Sequence, residues 1–83
     1  MILDKYINKL TMQHIDNYAK NQNITLINNE NEIIYDFIKN NYKTLYEKPY
    51  SEDIIKELKC KLSLNTYEKV NSLYKEAKEK IRN

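Results

Sequence analysis

The chain has 83 residues and a mass of 10.1 kDa, room for one hydrophobic core and too little for the construction of most enzymes. With 31% charged and 41% apolar residues and a mean hydropathy of -0.84, a modest core must lie under a very polar surface, and no run approaches a membrane span. Net charge is only +2, with four lysines against five acids before Tyr42 and ten basic residues against seven acids after it, which excludes a strongly basic nucleic-acid domain.

The chain has no glycine and one proline, so turns that need a positive φ must use Asn, and the long unbroken stretches predict helix. Ile2, Leu3, Tyr6, Ile7 and Leu10 recur at helical spacing and predict a first helix over residues 2–9. Thr11 is the expected cap of a second helix with the stripe Met12, Ile15, Tyr18 and Ala19, running to about Gln22 and stopped by a left-handed Asn23. Ile24 to Ile27, rich in β-branched side chains, reads as an extended link.

Asn29 followed by Glu32 imitates a capping box, and the acids Glu30 and Glu32 suit the positive end of a helix dipole. The third helix therefore starts there, with its main stripe at Ile33, Ile34, Phe37, Ile38 and Leu45, the largest apolar load in the chain and the expected central helix. Pro49 requires it to end by about Glu47. Ser51 is the expected cap of a fourth helix with Ile54, Ile55, Leu58 and Leu62 on one face. Asn65 or Thr66 starts a fifth, with the stripe Tyr67, Val70, Tyr74, Ala77 and Ile81 and with Lys75, Lys78, Lys80 and Arg82 toward its end.

The stretch INKLTMQHIDNYAKNQNITL, followed by a helix from Asn29, resembles the start of a domain-of-unknown-function family of small cytoplasmic proteins of Bacillota. Members of that family read like an INxxL-T helix, a YAK-type helix end and then I-S/T-L. The segment LSLNTYEKVNSLYKEA is similar to the family's closing helix, with Thr66, Val70, Asn71 and Leu73 at matching positions, so the likeness covers roughly residues 7–77. In the middle, KNNYKTLYEKPYSED departs from a segment that in the family usually carries Arg and Gly. The resemblance implies a short all-helical cytoplasmic protein and transfers no activity and no site residues.

Composition tempers every functional reading of these elements. Twelve Asn, thirteen Lys, eleven Ile and eight Tyr beside a single Arg are the residues of A- and T-rich codons, so mutational pressure alone accounts for many of the tyrosines and lysines. The lone Cys60 can form no internal disulfide, which fits a reducing cytoplasm, and MILDKYINKL is broken by Asp4, Lys5, Asn8 and Lys9 where a signal peptide needs an apolar run.

Catalysis finds little support. One His and one Cys, with no glycine-rich loop and no third orienting group, make a poor nucleophile or phosphate signal, and the scattered acids read as a solvated face rather than metal ligands. His14 lies about 110° from the centre of its helix's apolar stripe and is expected at the surface. Cys60 falls opposite the stripe of the fourth helix and is expected to face solvent.

Two binding readings remain. The third helix carries a second stripe of Tyr35, Tyr42 and Tyr46 bordered by Lys39 and Lys43, aromatic faces beside cations as a single strand would require. Helix, link, helix over residues 12–42 also resembles small DNA-binding modules. Against this, such tyrosines can simply pack on neighbouring helices, and Tyr42, nearest the main stripe, is expected half-buried with Tyr35 and Tyr46 exposed. The fifth helix has a heptad-like stripe that suits a partner helix or a second copy, or the chain's own core.

The sequence thus predicts an all-α fold, a single domain over 1–83 built as a compact cluster of about five short helices, and a non-catalytic cytoplasmic accessory protein that binds a protein partner. A nucleic-acid-binding module is the alternative, and Tyr35, Lys39, Lys43 and Tyr46 form the candidate face for either. No cofactor, metal or membrane association is expected, and the chain is expected to be a monomer or a weak homodimer.

Overall fold

The computed structural model describes the backbone of residues 2–81 and the side chains of residues 4–80. The expectation for Arg82 lies outside the described residues, as do those for the side chains of Ile2, Leu3 and Ile81. The fold is all-α: α1 (Ile2–Lys9), α2 (Met12–Asn21), α3 (Glu30–Glu47), α4 (Glu52–Ile55) and α5 (Leu64–Ile81), with a 3-10 segment (Lys56–Cys60) directly after α4 and no strand among the described residues. The chain divides into two compact units, Met1–Tyr42 and Lys43–Asn83, and the division falls within α3.

In the first unit α1 has the predicted bounds. Thr11 caps α2 through a reciprocal box, its Oγ1 accepting from the His14 amide at 3.3 Å while His14 Nδ1 accepts from the Thr11 amide at 3.1 Å. A histidine thus fills the position that Glu or Gln usually takes in such a box. The helix ends where Asn23 turns left-handed at φ 59, and the Ile24 amide returns to the Ala19 carbonyl at 2.8 Å. Ile24 to Ile27 has no regular structure, and Asn28 is also left-handed at φ 52. In a chain without glycine, two asparagines supply these turns because a short polar side chain tolerates that region best.

The entry to α3 is built differently from the expected Asn29 and Glu32 box. The acid that reaches back is Glu30, whose Oε1 accepts from the Ile27 amide at 2.9 Å, and the side chain is buried rather than solvated at the helix start. Among the described residues Ile15, Ala19, Ile24 and Phe37 are the buried apolar side chains of this unit, with Ile33, Ile34 and Ile38 half-buried beside Phe37 in the sequence of α3.

In the second unit α3 ends at Glu47, one residue ahead of the position that Pro49 disfavours for helix. Ser51 occupies the N-cap of α4 with extended backbone but makes no side-chain cap bond. The fourth helix is a single α-turn followed by the 3-10 segment, not one helix through Leu62. Ile55 and Leu58, three residues apart, are both almost wholly buried, and a 3-10 period of three residues per turn lines up that spacing.

The last helix starts at Leu64, ahead of the expected Asn65 or Thr66. Ser63 supplies the cap: its Oγ accepts from the Thr66 amide at 3.4 Å and donates to Thr66 Oγ1 at 2.9 Å. Thr66 is buried, so it serves the interior and not a helix end. Among the described residues Ile55, Leu58, Leu62 and Tyr67 are the buried apolar side chains here, and the α5 stripe passes from buried Tyr67 through half-buried Val70 and Tyr74 to exposed Ala77.

Candidate interaction surface

The four residues singled out on α3 divide between the two units. In the first, Tyr35 and Lys39 lie one turn apart, and the Lys39 ammonium sits over the Tyr35 ring at 5.5 Å from its centroid. The same ammonium donates to the Ile7 carbonyl at 2.7 Å, in the last turn of α1, where helix carbonyls lack intrahelical partners and the dipole favours a cation. Tyr35 is half-buried where exposure was expected, with the Lys39 ammonium over its ring.

Tyr42, at the end of this unit, is half-buried as expected, and its hydroxyl donates to the Asp4 carboxylate. That hydrogen bond, then burial, then the nearby negative charge raise the Tyr42 hydroxyl above its ordinary pKa. The tyrosine stripe of α3 therefore includes a residue that ties α3 to α1.

In the second unit Lys43 and Tyr46 are both exposed, Tyr46 at 53%. The Tyr46 carbonyl accepts from Lys78 Nζ at 2.9 Å, a cation on the C-terminal end of α3 like the one on α1. Next to it Lys48, Pro49, Tyr50 and the α5 side chains Lys75 and Lys78 line a surface groove of about 560 Å³, completed by Glu47 and Glu79. The Tyr50 ring packs against Tyr74 at 5.0 Å between centroids, tilted by 46°, with the Lys75 ammonium 5.8 Å from its centre. Its hydroxyl donates to Asn71 Oδ1 at 2.8 Å, and the Tyr74 hydroxyl accepts from the Ser51 amide at 3.4 Å.

Sequence reasoning missed this groove because it read Pro49 only as the end of the third helix and gave Tyr50 no role. The sequence offers no signal for it beyond the basic excess of the second half.

His14 is exposed as expected, and its role is the cap described above. Cys60 is a free, exposed thiol. Among the described residues no group of three or more His, Cys, Asp or Glu is placed to hold a metal ion. Large apolar side chains exposed to solvent are Tyr6 at 70%, Met12, Tyr18 and Ile27 in the first unit, and Leu64 at 65% with Tyr46 in the second. Among the described residues no helix is long and apolar enough to cross a membrane. No family model matches the sequence, and no curated protein and no solved structure resembles it at a significant level.

Proposed function

We propose that the chain is a small non-catalytic accessory protein of the cytoplasm that binds a protein partner, and that it is kin to the helical Bacillota family its sequence resembles. The observation that carries this reading is a contrast in how side chains are used. Lys39 and Lys78, cations that a phosphate would need, are hydrogen-bonded to carbonyls near helix ends, while Tyr6 and Leu64 stand open to water. Ordered cations of this kind serve the fold, and exposed large apolar groups gain most from being covered by another apolar surface.

Capture of partners by the intact protein from nuclease-treated cytoplasm tests the proposal. A partner should stay bound after nuclease treatment and should be lost in Tyr6→Ser or Leu64→Ser, which remove exposed apolar contact area. Release of all captured material by nuclease would overturn it.

The nucleic-acid reading keeps one supporting observation, the Lys39 ammonium over the Tyr35 ring with Lys43 and Tyr46 exposed further along the helix. It requires that changing Lys39 and Lys43 to Gln weaken single-stranded DNA binding and flatten its salt dependence.

A further inference from the structure

We propose that the groove beside Tyr50 is the seat of a partner segment in which acidic side chains flank an apolar one. The proposal rests on the partner-binding reading and names the chemistry of the partner. The floor is prearranged: the Tyr50 ring is held by Tyr74 and its hydroxyl by Asn71, so an incoming side chain meets a surface that need not be ordered on binding. Pro49, exposed at the lip, adds a rigid apolar edge.

Charge selects the occupant. Lys48, Lys75 and Lys78 outnumber Glu47 and Glu79 in the lining, and the second half of the chain carries ten basic residues against seven acids. Among the described residues neither Lys48 nor Lys75 is ion-paired, so carboxylates from a partner meet cations without displacing one. A nucleic acid fits less well. Its unbroken row of phosphates would pass the Glu47 and Glu79 carboxylates. Spaced acids around one apolar residue satisfy both the lysines and the ring.

The test is an anisotropy titration of the intact protein into a short fluorescein-labelled peptide in which one leucine is flanked on each side by glutamates. Binding should saturate, weaken about tenfold in Lys48→Glu/Lys75→Glu, and stay unchanged in Lys5→Glu/Lys9→Glu, an equal charge change on α1. Replacing the peptide's leucine by serine should also weaken it. Lys75→Gln alone, which keeps the helix and removes one cation, gives a smaller loss in the same direction and serves if the double variant does not fold. Absence of saturation, an equal loss in Lys5→Glu/Lys9→Glu, or ready displacement of the peptide by oligo-dT would overturn the proposal. A partner captured by the intact protein and still held by the double variant would sink the groove and leave the partner-binding reading standing.

Discussion

Tyr67 stands at the start of α5 with its ring buried and its hydroxyl donating to Glu52 Oε2 at 3.1 Å. Burial, then that hydrogen bond, then the Glu52 charge, with a smaller contribution from Tyr50, raise its pKa above the ordinary value of 10.0, as the Asp4 bond does for Tyr42. A phenol whose folded pKa is raised holds its proton more tightly in the folded chain than in the unfolded one. Its contribution to stability is complete below the ordinary value and is lost as pH rises through the raised one. Urea midpoints should therefore fall on the alkaline side of about pH 10, and the fall should be shallower in Tyr67→Phe. An alkaline branch identical in the two proteins would contradict the placement of this hydroxyl.

Cys60 gives a second check at the same scale. It is exposed at the end of the 3-10 segment, and a thiol reagent should label it in the native state as fast as it labels the unfolded chain at the same pH. Labelling that waits for unfolding would mean that the 3-10 segment is rotated.

The helices depend on side chains that close their ends, and several of these could not be read from residue type. His14 passes for an ordinary surface histidine, yet it completes the α2 cap with Thr11. His14→Ala should cost about 0.5 to 1 kcal/mol in a urea melt, and Thr11→Ala about 1 kcal/mol, since each leaves an amide of the first turn without its partner. Lys39 passes for a free cation and instead meets the Ile7 carbonyl, so Lys39→Gln should destabilise the first unit by about 1 kcal/mol. If that substitution left the melt unchanged, the helix-end role assigned to the lysine would be wrong.

The pattern of legibility follows from what each signal measures. The bounds of α1, α2 and α3 were readable because Thr11, Asn23 and Pro49 act on their own backbone, a local effect that the sequence states directly. Ile54, Ile55, Leu58 and Leu62 fit an α-helix and a 3-10 segment about equally well, since both put residues three apart on one side, so the stripe did not separate them. Glu30 was read only as an acid at the positive end of the helix dipole, because nothing in its sequence neighbourhood reports that it is buried and bonded to Ile27. The Tyr50 groove was illegible for a stronger reason: it joins residues of the α3 end to residues of α5 almost thirty positions later, and no periodicity crosses that gap.

For the whole chain, circular dichroism should show a helical spectrum without a strand component, as the element order requires. A net charge of only +2, divided as a slightly acidic first half and a more basic second, gives a weak overall field, so long-range steering of a polyanion is small and local geometry decides what binds. On that footing the hydrogen bonds of Lys39 and Lys78 to helix-end carbonyls serve the fold, and recognition falls to the apolar groups left to solvent and to the Tyr50 groove.

The most direct measurement of that division is the anisotropy of labelled single-stranded DNA titrated with the unmodified protein at low salt, where attraction between charges is least screened. No saturable binding is expected. Saturable binding that falls steeply with salt and is lost when Lys39 and Lys43 are changed to Gln would contradict it.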